Sequence, residues 1–375
     1  MKFYLNAVPF AADYDEIEEG VKLAGADPTR YQRMLDRLRG VAQVADDGGF
    51  TGICFSEQHA NIEGIPEVTT NPLLLDAFVA AHTKQLRVGQ LGMTLTVHHP
   101  LMLAEDIALL DQITGGRVFA GFTRGNSRRW VDTFGHSFGT AATQSDKSAA
   151  DEANLRAVEE AWTIIKKAWT TETFSHQGEF WTVPGPDIVW DSEVTRSLGQ
   201  GVDENKRLHE IGSVPSPLQK PHPPLFAPLA ARMTTAAFWV EQGATAVCYA
   251  AKDDFLRTAY EVLSEHRQPG PWADRPALAP AANLFIGATR AEAEALKAKH
   301  DALYARAFAA PPFNVPAGRV ICGDPDEVSA EIEKLTKLFP FEDLFLWHSI
   351  NWFTEAEEIE SLEIFCDKVL PRFAD

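Results

Sequence analysis

The chain is short of cysteine, short of positive charge and without a long apolar run. Its four cysteines, Cys54, Cys248, Cys322 and Cys366, lie far apart and form no C-x-x-C pair. That spacing excludes a zinc ribbon and a thioredoxin-like redox site. Cys54, Cys248 and Cys322 sit in apolar runs and read as buried free thiols in a reducing compartment. Lys and Arg number 34 against 53 Asp and Glu, a net charge of −19. The deficit of basic residues argues against nucleic acid and anionic membrane surfaces as partners, since both require clustered Lys and Arg. No apolar run approaches the ~20 residues of a membrane span. No G-x-G-x-x-G turn or P-loop is present, and no H-x-H, H-E-x-x-H or paired carboxylates stand at ligand spacing. A metal site is therefore not expected. Met1 leads directly into the strand-like KFYLNAVPF, so a cytoplasmic protein without a secretory signal is expected.

What is present is a run of strand and helix signals around one stretch, TLTVHHPLMLAEDIALLDQITGGRVFAGFTRG, from Thr94 to Gly125. Pro100 stands where a helix starts, because its missing N–H costs nothing there. Leu101, Leu103, Ile107, Ala108, Leu110 and Ile113 supply an apolar face. Gly115-Gly116 ends the helix, and Arg117 to Thr123 reads as a strand. Similar units precede it: strands at 2–8, 51–56 and 87–95, and helices at 31–47 and 71–84. After it come strands at 224–229, 245–250, 281–287 and 344–347, mostly each followed by a helix. The alternation predicts an α/β fold, a (β/α)8 TIM barrel, as a single domain over 1–375. Two stretches break the rhythm, 126–150 and 187–221. Both are expected as loop insertions over the top face, the second as a lid. On a parallel barrel that face collects the strand-end residues, including Glu57 to His59, Thr94 to His98, Thr123-Arg124 and Trp347-His348.

The central stretch resembles the bacterial luciferase-like flavin monooxygenases. It carries in order His99-Pro100, Glu105-Asp106, Leu110-Asp111-Gln112, Gly116-Arg117 and Arg124-Gly125. The resemblance implies reduced FMN as cosubstrate, supplied by a separate flavin reductase. It implies O2 as the second substrate and a C4a-peroxyflavin that oxygenates a small organic molecule, with Baeyer–Villiger insertion into a carbonyl as one form. It also implies a homodimer. In the family the Arg of the Arg-Gly pair contacts the flavin phosphate, here Arg124. The turn into the helix after strand five binds the same phosphate, here Ala231, Arg232, Thr234 and Thr235. The usual Ser near Arg232 is missing. A non-prolyl cis peptide under the flavin ring corresponds to Leu91-Gly92, with Thr94 and Thr123 beside the ring.

Glu57-Gln58-His59 matches the family's Glu-His-His at the end of strand two, and these three are the candidate catalytic residues. Gln58 replaces the His linked to proton transfer in true luciferases. Glutamine is no base at neutral pH, so light emission from a long-chain aldehyde is not expected. Two other readings stay open: hydride transfer with a reduced deazaflavin on the same barrel, and a non-catalytic luciferase-like subunit.

Overall fold

Eight strands, β1 Lys2–Pro9, β2 Gly52–Phe55, β3 Arg87–Gln90, β4 Val118–Thr123, β5 Leu225–Pro228, β6 Thr245–Cys248, β7 Leu278–Ile286 and β8 Asp343–Ile350, close into a parallel barrel. The structure, a computed structural model, describes residues 1–229, 232–311 and 315–373. The chain forms two compact units, 1–93 with 119–121 and 224–375, and 94–118 with 122–223. The barrel belongs to the first, β4 entering it through Phe119 to Gly121. β8 returns beside β1, with Tyr4 opposite Phe345 and Asn6 opposite Trp347.

Residues two apart on a strand share a face, and this sets the inside of the barrel in layers. Tyr4 stacks on Phe345 with ring centroids 4.7 Å apart, and Phe119 and Phe226 meet Tyr4 edge-on at 5.4 and 5.5 Å. Cys54, Leu91, Val247, Ala279 and Ala281 complete this buried cluster. Small residues on β7 leave room for the rings, the large-beside-small packing that fills a barrel interior.

The helices of the first unit start where capping chemistry predicts. Asn71 accepts from the Leu74 N–H ahead of helix Pro72–His82, and Asp27 caps helix Pro28–Asp47. Three strand boundaries differ from the expectation by more than two residues: β3 ends at Gln90 instead of residue 95, β7 begins at Leu278 and β8 runs on to Ile350. A further strand, Val320–Gly323, lies in a stretch that reads as loop. Its cause is backbone pairing. β7 pairs with β6 only over Leu278 to Pro280, and Val320–Gly323 takes up the backbone groups of Asn283 to Ile286.

In the second unit, helix Pro100–Thr114 ends at Gly115 in the left-handed conformation, φ 66°. Leu103, Ile107, Ala108 and Leu110 face inward as expected, whereas Ile113 is exposed. Helix Ala149–Thr170 presents Trp162 and Trp169, which pack around Phe122 and His222. The stretch 126–150 is not all loop: it contains helix Arg128–Gly135, with Trp130 and Val131 buried. The stretch 187–221 carries helix Glu193–Leu198 and is pinned by bridges Val189–Arg207 and Val202–Leu208. Gln219 donates from its backbone and side chain to Asp111, fixing the end of that stretch.

Candidate active site

One step beyond the aromatic layer, toward the carboxyl ends of the strands, the barrel interior changes character. Tyr4 is followed on its face by Asn6, Cys54 by Ser56, Val247 by Tyr249, Ala281 by Asn283 and Phe345 by Trp347. Asn6 donates from Nδ2 to the Tyr249 hydroxyl at 2.7 Å, and the Cys54 thiol lies 3.6 Å from Asn6 Oδ1. Tyr249 meets the Trp347 ring edge-on at 5.4 Å. Burial, foremost, pushes the Tyr249 phenol above its ordinary range, so it stays protonated and able to donate. Among these groups Trp347 Nε1 and Asn283 Oδ1 are buried without a partner. A layer of polar groups at the carboxyl ends of barrel strands is where this architecture places chemistry.

The loop after β2 completes the layer. Glu57 is buried and its Oε1 lies 3.0 Å from His59 Nε2. The carboxylate fixes the imidazole's orientation. Gln58 is half-buried, and its backbone N–H donates to the Thr69 carbonyl at 3.0 Å. The peptide bond between Leu91 and Gly92 is cis, where the resemblance places one, and Leu91 belongs to the barrel cluster.

The sequence gives no hint of Glu67, which the same loop brings in. It is 4% exposed, and its Oε1 accepts from Ser56 Oγ at 2.6 Å and Thr69 Oγ1 at 2.8 Å. Burial pushes this carboxyl up to about 7, against the lowering effect of the two hydroxyls. Its only signal in the chain is an acidic residue beside Pro66 and two threonines, which reads as an ordinary solvated loop.

The helix after β5, Met233–Glu241, opens with Arg232 as N-cap and has no side-chain cap. Its first-turn N–H groups thus point outward with the positive end of the helix dipole behind them. Thr235 Oγ1 is buried there without a hydrogen-bond partner. Thr234 is exposed and Arg232 half-buried. Ala231, assigned to the same turn, lies outside the described residues.

The remaining candidates lie in the second unit. Thr94 is buried and Thr123 half-buried. Arg124 is 6% exposed, and its guanidinium is engaged within the unit. Nε donates to Asn154 Oδ1 at 2.8 Å, and an Nη donates to the Asp151 backbone and carboxylate at 2.5 and 2.9 Å. Asp151 also accepts from Thr143, Ser145 and Lys147, so this ion pair organises the loop before helix Ala149–Thr170. Gly125 follows with φ +74°, and an added Cβ would stand 2.4 Å from the Thr94 methyl. Glycine is required on both counts. Among the described residues no cluster of His, Cys, Asp and Glu is arranged to hold a metal, and no helix is long and apolar enough to cross a membrane.

Comparison with known proteins gives the family and the fold. The oxygenase component of the flavin-dependent trigonelline monooxygenase of Acinetobacter baylyi is 28% identical over 202 residues, 54% of this chain and 45% of that protein. The 3,6-diketocamphane 1,6-monooxygenase of Pseudomonas putida is 32% identical over 155 residues, 40% of this chain and 39% of that protein. The chain thus spans less than half the length of these curated relatives. The fold also matches the solved oxygenating constituent of the Pseudomonas putida 3,6-diketocamphane monooxygenase, a complex with FMN. There the TM-score is 0.67 at 21% identity, covering 92% of this chain and 94% of that one. The family model for luciferase-like monooxygenases matches residues 21–340. With a closed parallel barrel and a matched segment of that length, the chain belongs to the luciferase-like monooxygenases.

Proposed function

We propose that the protein is the oxygenase component of a two-component system. It takes reduced FMN from a separate reductase, and O2, and oxygenates a small organic substrate. The observation that carries this reading is the start of helix Met233–Glu241, where an uncapped turn presents N–H donors beside the orphaned Thr235 hydroxyl. That donor set fits a phosphate monoester, since anions sit at helix N-termini on exposed N–H groups. Arg232, Thr234 and Thr235 would hold the phosphate, and the Leu91-Gly92 edge of the barrel mouth would seat the ring.

The reduced flavin supplies the activation of O2 when bound. The chain's own residues do the rest. Glu57 orients His59, and the polar layer of Asn6, Ser56, Tyr249 and Trp347 offers donors to a developing oxyanion or a substrate carbonyl. Gln58 can position a group but not take its proton. From the resemblance, Arg124 is proposed as a phosphate ligand in its own right, and Thr94 and Thr123 as hydrogen-bond donors to the flavin. A ketone substrate is consistent with the diketocamphane monooxygenase named above.

The test is anaerobic titration of the protein with reduced FMN and with reduced deazaflavin, followed by admission of air. Saturable FMN binding and rapid reoxidation on the protein are expected. Preference for the deazaflavin without oxygen consumption would move the assignment to hydride transfer. Binding without any effect on oxidation would indicate a non-catalytic subunit, and binding of neither would remove the phosphate site.

A further inference from the structure

Glu67 is a second buried carboxyl at the mouth layer of the barrel, beside Glu57, and the flavin reading gives it no task. Its side chain is buried, yet it is held by hydroxyls alone, from Ser56 and Thr69. A buried carboxylate that is kept only for stability is normally paired with a cation. Of its two partners, Thr69 is fully buried in the loop, whereas Ser56 is half-buried. Ser56 stands on the face of β2 that Cys54 turns to the barrel interior, one step nearer the mouth.

We infer that Glu67 and Ser56 form a two-member proton relay at the barrel mouth, with Ser56 the member that meets the reacting oxygen. This rests on the proposed flavin chemistry. The Ser56 hydroxyl passes its proton to an oxyanion formed as O2 is reduced, and Ser56 Oγ takes the proton of the neutral Glu67 carboxyl. Glu67 is left as carboxylate and recovers a proton from solvent before the next turnover. Electrons come from the reduced flavin, and the relay moves protons only. When Glu67 is ionised, Ser56 donates to it, and the Ser56 proton is withdrawn from the mouth. When Glu67 is neutral the bond reverses and that proton is released upward. The titratable groups facing Glu67 are the Cys54 thiol and the Tyr249 phenol, and burial keeps both neutral. The tuning of the Glu67 carboxyl to about 7 fits a group that must both give and regain a proton near neutrality.

The test uses the full chain, as wild type, Glu67→Gln and Ser56→Ala. Without flavin, an infrared pH titration of the wild type should show a protonated carboxyl band that disappears as pH rises through about 7 and is missing from Glu67→Gln. No such band would overturn the relay. With bound reduced FMN mixed with air, reoxidation by the wild type should slow as pH rises through the same range. Glu67→Gln should be pH-independent and slower by about a hundredfold at acidic pH, the scale of general acid catalysis. Ser56→Ala should be equally slow while keeping the carboxyl band. A wild-type pH profile in Glu67→Gln would overturn the relay and leave the flavin reading standing. Failure of the wild type to bind reduced FMN would overturn both.

Discussion

Tyr4 and Asn6 are two residues apart on one strand, face the same way and live in different chemistry. Around Tyr4 the barrel is filled by Phe119, Phe226 and Phe345, with alanines opposite. Around Asn6 it holds a serine, a tyrosine hydroxyl, an indole N–H and a carboxamide, two of whose polar atoms have no partner. On the proposed function, neighbouring layers of one barrel are divided between holding the fold and handling a reaction. Buried polar atoms without partners are costly, and two of them, Trp347 Nε1 and Asn283 Oδ1, stand one step beyond the aromatic layer, toward the carboxyl ends of the strands. The aromatic layer makes that cost tolerable by fixing the strands that carry it.

The division can be broken first from below. Phe345→Ala removes the ring stacked on Tyr4 and leaves a cavity in the closed layer. It should cost about 3–5 kcal/mol, read by urea denaturation, with a lowered midpoint and unchanged slope. A loss well under 1 kcal/mol would mean that the layer is loosely packed and the contrast overstated.

The mouth layer should respond to pH instead. The folded-state value of Glu67, about 7, lies above the ordinary carboxyl value of 4.5. The folded state therefore holds a proton that the unfolded chain has released, so this group's contribution declines as pH rises from 4.5 to about 7. The full difference is about 3 kcal/mol. Glu67→Gln should match the wild type in stability near pH 4.5 and exceed it by roughly that amount at pH 8. Buried His300 and His348, both pushed down to about 4, act in the opposite sense on acidification. They are common to both proteins and cancel in the comparison. Equal stability at both pH values would show that Glu67 is not desolvated as the structure has it.

Much of the fold was legible in the chain because its elements announce themselves locally. Asn71-Pro72 and His99-Pro100 open helices, Gly115 closes one, and the strands read as short apolar runs between them. The missed elements depend on distant partners. Val320–Gly323 is a strand because β7 leaves β6 and needs a new neighbour. Helix Arg128–Gly135 is amphipathic, with Trp130 and Val131 buried, but its eight residues are too few for a periodicity to be told from the Ser-, Thr- and Gly-rich stretch around it. Ile113 satisfies the helical spacing of its neighbours and still faces outward, since spacing alone does not say where a stripe ends.

The proposed site divides in the same way. Glu57, His59, Leu91-Gly92 and the turn into helix Met233–Glu241 follow from motifs at strand ends. Glu67 does not, because its burial is created by a loop folding over Ser56. Arg124 shows the limit of residue type as evidence. A guanidinium at a strand end suits phosphate, and here it is also the buried partner of Asp151.

The phosphate seat at Thr235 can be isolated by comparing FMN with riboflavin, which differ by that phosphate alone. Affinities for both, measured on the wild type and on Thr235→Val, separate the seat from everything the ring contributes. The wild type should prefer FMN by about tenfold or more, the scale of one charge-assisted hydrogen bond. Thr235→Val should lose most of that preference and keep its riboflavin affinity. Equal binding of the two flavins by the wild type would place the phosphate elsewhere and remove the main support for the proposed function.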